Sequence, residues 1–276
     1  MSTRKAIFWS IFWIVLSLSL NGVVLLLYGH QKAVAFFTGY IIEKSLSVDN
    51  LFVFLIIFTF FNVSPAHQRR ILNYGIIGVI ILRGLLIFLG SSLVERFGWI
   101  LYIFGAILIY SGYKMVFGKE KKVEPDRNLL LNWFKRFFPV KNSYTGEHFF
   151  IKENGVWYAT PMIIVLIVVE TTDIVFAVDS IPAIFGITTD PFIVFSSNLM
   201  AVLGLRSLYF VLERVQRAFI YVKYGVGVVL VFIGVKMLIV DYIEISTLLS
   251  LTVVVCILAA SVLLSYIKQA VTNRKK

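Results

Sequence analysis

The sequence predicts an all-α polytopic membrane helix bundle of about eight transmembrane helices, and three observations carry that reading. Of the 276 residues 59% are apolar and only 15% are charged, whereas a soluble domain is nearer half apolar and a quarter charged. The apolar residues gather in runs of about 20, the length a helix needs to cross about 30 Å of hydrocarbon. Three of those runs recur later in the chain in the same order, which divides the bundle into two inverted three-helix repeats.

The elements follow in order. A leading helix covers Ile7 to Leu27 behind Arg4 and Lys5; it is longer than a signal-peptide core and lacks a small-residue cleavage site, so it reads as an anchor. The first repeat, 33–116, holds Ala33 to Phe61, Ile71 to Leu89 and Trp99 to Val116. A cytoplasmic loop, 117–159, separates it from the second repeat, 160–240, whose spans are Pro161 to Ser180, Phe192 to Leu212 and Tyr224 to Val240. A last helix covers Ile245 to Ile267, and the whole chain is one integral membrane domain. Within the loop, Leu129, Leu130, Trp133, Phe134, Phe137 and Phe138 fall at helical spacing beside Arg127, Lys135 and Arg136. That pattern predicts an amphipathic helix, either lying on the anionic inner leaflet or packed on the ends of the bundle.

Charge sets the orientation. The net charge of +11 would suggest a nucleic-acid partner in a soluble chain, but the basic residues here lie between apolar runs. Arg4 and Lys5, Arg69 and Arg70, the 119–152 segment, Arg214 with Arg217, and Lys268 with Arg274 to Lys276 share one side if eight helices alternate. That side is expected to be the cytoplasm, with both termini on it. The predicted surroundings are therefore the lipid bilayer and not nucleic acid. A single cysteine, Cys256, excludes a disulfide or a thiolate zinc site within one chain.

The repeat is read from matched residues. Phe97, Tyr102, Gly105, Leu108, Gly112, Lys114 and Met115 pair at one offset with Phe219, Tyr224, Gly227, Leu230, Gly234, Lys236 and Met237. Upstream, Arg83 matches Arg206, and the segment from Glu43 to Asp49 matches Asp173 to Asp179. Three crossings per unit is an odd number, so the second copy must be inserted upside down, as in many transporters whose substrate site lies at the midplane.

Seven charged residues fall inside the predicted spans: Glu43, Asp49, Arg83, Glu170, Asp173, Asp179 and Arg206. At about 3 kcal/mol each at a helix centre, their naive total is on the order of 20 kcal/mol. Five acids against two arginines leave an excess, with Lys44 as a further base beside Glu43, and a cation pathway explains that excess better than a static network. Glu43 and Asp49 are six residues apart, about 120° out of phase and about 9 Å apart along a continuous helix. Joint ligation therefore predicts an interrupted helix there, where Ser45, Ser47 and Asn50 tolerate a break, and another near Ser180 and Pro182. Hard oxygen donors favour magnesium, calcium or manganese over zinc or copper. No Walker loop, GxSxG or HExxH is present, so neither ATP-driven transport nor a standard hydrolase is encoded, and a non-enzymatic protein without a permanently bound cofactor is expected.

The run Glu43-Lys44-Ser45-Leu46-Ser47-Val48-Asp49-Asn50 with Phe52 and Phe54 resembles the first signature of the TerC family of membrane proteins. Asp173 through Phe176 and Ala177, Asp179-Ser180-Ile181-Pro182-Ala183, Thr189-Asp190-Pro191-Phe192, Ser197-Asn198 and Gly204-Leu205-Arg206 resemble the second. Similarity to the Alx-like branch runs from about Phe37 to about Tyr242, and the branch's additional N-terminal span has no counterpart in the predicted helices. The resemblance implies a bacterial inner-membrane protein linked with manganese export, and historically with tellurium resistance and alkaline induction. It also implies that Glu43, Asp49, Asp173 and Asp179 form the metal path, with Asn50 and Ser180 beside them and Glu170 and Asn198 in support. Arg83 and Arg206 are expected to orient or neutralise the acids when no metal is bound. Some family members are described as redox modulators, against which the single intramembrane cysteine argues here. The expected function is manganese export by a secondary transporter, with proton antiport as a plausible drive. The alternatives are a non-transporting scaffold in metal, tellurite or alkaline stress that docks partners through the 117–159 loop, and a transporter of another small solute.

Overall fold

The computed structural model describes residues 3–118, 129–141, 146–153, 155–215 and 221–274. Among the described residues the elements follow in the order α1 (Thr3–Tyr28), α2 (His30–Phe60), α3 (Pro65–Arg96), α4 (Ile100–Phe117), α5 (Leu129–Phe137), β1 (Phe150–Glu153), β2 (Val156–Ala159), α6 (Pro161–Phe185), α7 (Pro191–Leu203), α8 (Leu205–Val215), α9 (Val222–Leu238) and α10 (Thr247–Arg274). Three helices open on a polar cap followed by proline, which suits the first turn because its missing N–H would have no helical partner. Ser64 caps α3, Thr160 caps α6, and Asp190 Oδ1 accepts from Phe192 N at 3.0 Å at the start of α7.

The chain is an all-α polytopic membrane protein. Among the described residues five helices, α1, α3, α4, α6 and α10, are long and apolar enough to cross a bilayer, and the α7/α8 pair makes a sixth if its bend is taken as one span. The 17 residues of α9 rise only about 26 Å, and α2 carries Glu43 and Lys44 in its middle, which is why neither passes as a simple apolar span. The outward surface is apolar, with Leu26, Leu27, Ile81, Phe88 and Leu263 all more than half exposed, an amount of bare apolar surface that suits a lipid environment.

Contacts sort the helix ends into two groups. Arg70 near the start of α3 pairs with Glu147 at 3.4 Å, Arg206 of α8 bonds Asn73 of α3, and Tyr221 N at the start of α9 donates to Ser265 Oγ near the end of α10 at 2.9 Å. At the opposite end, Lys32 in the first turn of α2 pairs with Asp190 before α7 at 2.7 Å, and Tyr102 at the start of α4 bonds Asp241 beyond α9. Successive helices thus run up and down through the bundle.

The closest helix crossing joins α4 to α9. A Cβ on Gly105 would lie 2.9 Å from Gly234 O and one on Gly234 2.7 Å from Gly105 O, while one on Gly227 would lie 3.0 Å from Gly112 O. Small residues let membrane helices pack backbone to backbone. Gly105 and Gly227 stand at the shared sequence offset, as do Gly112 and Gly234, and the pairs meet crosswise.

Two expectations need correction. No break occurs at Glu43 to Asp49 or at Ser180 to Pro182: α2 and α6 are continuous. In α2 Ser45 Oγ donates to Ile41 O at 2.8 Å, so its hydroxyl joins the helix rather than competing with it. Pro182 lies in the last turn of α6, where the lost N–H costs one bond and the helix ends three residues later. The break falls instead at Gly204, where α7 and α8 bend by 41°. Lys44 Nζ donates to Ala201 O at 3.1 Å there, and a Cβ on Gly204 would lie 2.6 Å from that ammonium. A cation at freed carbonyls suits a helix C-terminus.

The 117–159 loop carries the expected amphipathic helix as α5, which is joined by the β1–β2 hairpin, with Phe150 opposite Ala159. Leu131 of α5 is buried in an apolar cluster with Phe58, Ile71 and Met162, and Phe134 stacks on Phe138. A second cluster, built on Phe36, Ile42, Leu230 and Ile233, packs α2 against α9.

Candidate functional site

Arg83 of α3 is the organising residue. Its side chain is 2% exposed, and its Nε and Nη2 each approach Asp173 of α6 at 2.9 Å, one to Oδ2 and one to Oδ1, a side-on bidentate pair. Nη1 donates to Glu43 Oε1 of α2 and lies 3.3 Å from Asn198 Oδ1 of α7. Asn198 closes the ring by donating from Nδ2 to Glu43 Oε2 at 2.9 Å, and Ser47 Oγ stands 3.5 Å from Glu43 Oε1. Four helices therefore meet at one guanidinium. Glu43, Asp173, Asn198 and Ser47 are all buried, so the network is shielded from water and its charges interact strongly. Two carboxylates against one guanidinium leave one formal negative charge. A hollow of about 10 Å³, on the order of one water, lies beside Arg83 and Asn198.

Glu170 stands one turn before Asp173 on α6. Both of its carboxyl oxygens are buried and without a hydrogen-bond partner among the described residues. The carboxyl group rests against α3 where two glycines leave room: a Cβ on Gly75 would lie 3.1 Å from Oε1, and one on Gly78 would overlap Oε2. Their missing side chains make the space that Glu170 fills.

The remaining site candidates are distributed along the helices. Asp179 lies six residues beyond Asp173 on α6, about 9 Å further along the axis, and Ser111 of α4 donates to its Oδ1 at 2.5 Å. Ser180 Oγ and Asn50 Nδ2 are buried and unpartnered among the described residues. The backbone of Asp49 continues α2, and its side chain lies outside the described residues. Arg206 is placed apart from the acids, partly exposed on α8 and bonded to Asn73. Lys44 also turns away from Glu43, as successive residues on a helix must, and caps α7 instead. Among the described residues no three or more His, Cys, Asp or Glu side chains gather around one point. Glu43 and Asp173 reach each other only through Arg83.

Sequence reasoning missed Ser111, Asn73 and the cradle of Gly75 and Gly78. A lone hydroxyl, a lone amide and two glycines carry no spacing signal by themselves. Asn198 was marked as a motif position, and the structure gives it a concrete partner in Glu43.

The model of the integral membrane protein TerC family matches residues 28–273. The chain belongs to the TerC family. Its relatives include a Salmonella typhi protein provisionally named the membrane-bound redox modulator Alx, 47% identical over 96% of this chain and 85% of the relative. The Alx protein of Escherichia coli strain K12 is 48% identical over the same shares of the two chains. An uncharacterized membrane protein of Rickettsia bellii is 38% identical over 100% of this chain and 91% of its own length. No solved structure matches. The matched span takes in both acid motifs, all four helices that meet at Arg83, and the α4–α9 crossing.

Proposed function

We propose that this TerC protein is a secondary transporter that exports manganese across the bacterial inner membrane, with proton exchange as the drive. The observation that carries the reading is the buried Glu43–Arg83–Asp173 network, in which one acid from each repeat is held by one guanidinium. A structural network has no need of surplus acid, yet Glu170 lies one turn away with both oxygens unpartnered among the described residues. Arg83 stands where a cation would stand, so metal entry requires its release from Glu43 or Asp173. Carboxylate, amide and hydroxyl oxygens suit a hard divalent ion, and the TerC resemblance selects manganese among them. Glu170 is assigned to the exchanged proton, and Asp49, Asp179, Asn50 and Ser180 to the continuation of the ion path.

The crosswise meeting of Gly105 with Gly234 and Gly112 with Gly227 supports an antiparallel relation between the two repeats, the relation that lets one site face either side in turn. The basic residues Arg69 and Arg70 fall at the end of the bundle where α3 and α9 begin, which supports cytoplasmic placement of that end and of both termini. The redox name of the relatives finds one thiol here, the exposed Cys256, and a thiol–disulfide couple within one chain needs two. Transport is therefore the better-supported activity.

The test is cell-associated manganese, measured by elemental mass spectrometry in an exporter-deficient bacterium after a manganese load. Wild type should lower it relative to vector, and Glu43→Gln, Asp173→Asn and Asp49→Ala should each return it to the vector level at equal membrane expression. Untouched manganese with well-expressed wild type would defeat the exporter reading and favour a scaffold.

A further inference from the structure

We propose that the exposed face of α5, with the adjoining hairpin, binds anionic phospholipid headgroups of the leaflet at which α4 ends and α6 begins. The inference rests on the α5 region alone and stands or falls independently of the transported ion. Around the helix axis, Leu131, Phe134 and Phe138 occupy one half of an apolar stripe about 160° wide, and Leu130, Trp133 and Phe137 the other. The first half is used inside the protein: Leu131 is 1% exposed, and Phe134 and Phe138 both pack on Phe150 of β1. The second half is bare. Trp133 and Phe137, with ring centroids 4.8 Å apart, are 60% and 63% exposed, and Leu130 is 48% exposed.

Two arguments select lipid as the occupant. The first is position. Ala159 N donates to Pro139 O at 2.9 Å and Lys141 N to Ala159 O at 2.9 Å, so the end of α5 is tied to the residue just before the N-cap of α6. The same region is clamped to the first turns of α3, where Arg70 lies over the Phe149 ring at 5.8 Å and a nitrogen of His67 lies 2.9 Å from Gly146 O. The bare aromatic face is thereby held at the level where α3 and α6 begin, the ends at which long apolar helices leave the hydrocarbon. The second is charge. Lys135 and Arg136 border the apolar stripe on its two sides, both exposed and with no ion-pair partner among the described residues. On β2, exposed Trp157 has Lys152 over its ring at 5.9 Å, only three residues before Thr160 caps α6. Tryptophan with flanking cations is the composition that settles at a headgroup boundary.

The test uses the full chain in nanodiscs of phosphatidylcholine alone or mixed equally with phosphatidylglycerol. Hydrogen exchange of residues 129–137 should slow when phosphatidylglycerol is present. Each basic residue near an anionic surface is worth about fivefold in association, so Lys135→Gln with Arg136→Gln should remove on the order of thirtyfold of that protection while exchange in α6 stays unchanged. A variant keeping Trp133 alone, with the other four tryptophans replaced by phenylalanine, should be quenched by phosphatidylglycerol with brominated chains and shielded from aqueous acrylamide. Protection equal in the two lipids, with acrylamide reaching Trp133 freely, would show a face open to water and overturn the proposal. Shielding from both quenchers would show a second copy or another protein on the face and overturn it equally.

Discussion

Replacing Arg83 by methionine tests the central network most directly. The substitution keeps an apolar stem and removes the donors that hold Asp173 at two 2.9 Å contacts and that reach Glu43 and Asn198. Two carboxylates, 0% and 1% exposed, would then face each other with no cation between them. Removing one partner of a buried ion pair costs about 3–5 kcal/mol, and at about 2–4 °C per kcal/mol for a chain of this size the midpoint should fall on the order of 10 °C. A divalent ion that takes the place of the guanidinium would return about 2.7 kcal/mol at a hundredfold excess over its dissociation constant. Manganese should therefore raise the midpoint of Arg83→Met by most of the loss, and that of wild type by less, because in wild type the ion must first displace Arg83. The assay is a thermal scan of the detergent-purified protein by intrinsic fluorescence, with manganese, magnesium, calcium or zinc. Combining Arg83→Met with Glu43→Gln and Asp173→Asn should restore much of the stability without metal and abolish the metal response, since neither carboxylate of the network is then left without its cation. A midpoint for Arg83→Met within a degree or two of wild type, or equal manganese shifts in the two proteins, would refute the reasoning.

Other outcomes follow from single contacts. Gly78→Ala should displace the Glu170 carboxyl and lower manganese efflux several-fold with insertion retained, while Gly75→Ala, whose Cβ would lie at 3.1 Å, should cost less; efflux assays at matched expression give the order. Both changes favour a helix by up to about 1 kcal/mol in isolation, so a gain in stability with a loss of efflux separates the cradle from packing. Gly112→Leu should open the α4–α9 crossing and destabilise by about 1–3 kcal/mol or more, read as a lower thermal midpoint. The Lys32–Asp190 pair predicts a pH signature. Burial alone would raise the Asp190 pKa, but the hydrogen bond from Lys32 and the backbone donors of Ile193 and Phe192 outweigh it and hold the group below its ordinary value. A depressed carboxylate adds stability above its unfolded pKa of about 3.9 and loses it as pH falls through the lower folded value. With Lys32 side chain 45% exposed, Lys32→Gln should cost under about 1 kcal/mol at pH 7, and the difference from wild type should vanish once pH falls below the depressed folded value.

Hydropathy and charge made the fold class legible because lipid imposes one rule on every span: long apolar runs, with polar groups only where they are satisfied. The motif acids were legible for the same reason, since a carboxylate in a span stands out against its neighbours. What did not follow was which charges meet. Arg83 and Arg206 match at one offset in the two repeats, yet Arg83 is buried among acids and Arg206 bonds Asn73 at the bundle's edge. A residue's depth in the bilayer and its facing helix are set by tertiary packing, which periodicity within one helix does not encode. The position of the break was hidden likewise. Serines and a proline suggested interruption in α2 and α6, but hydroxyls can be absorbed by bonds four residues back, as Ser45 shows, and a proline near a helix end costs little. Gly204 gave no stronger local signal than other glycines, and its role depends on Lys44, 160 residues earlier in the sequence.

That asymmetry bears on mechanism. In an exact inverted repeat each acid would have its own arginine, and two equivalent neutral pairs would leave no charge to attract a cation. Here one arginine serves both Glu43 of α2 and Asp173 of α6, while Arg206 stands apart and bonds Asn73. On the proposed reading of two repeats, the guanidinium would bridge the halves, and rocking of one against the other would lengthen its contacts to one of the two acids. The acid released would be a buried carboxylate without a partner, a state that favours capture of a cation or a proton within the bilayer. Coupling of ion capture to helix movement would then be a consequence of one arginine shared between two acids. Arg83→Lys tests that step: a single ammonium cannot hold Asp173 side-on and reach Glu43 as the planar fork does. Insertion should persist while efflux falls at least tenfold, and unchanged efflux would show that the shared fork is not the coupling element.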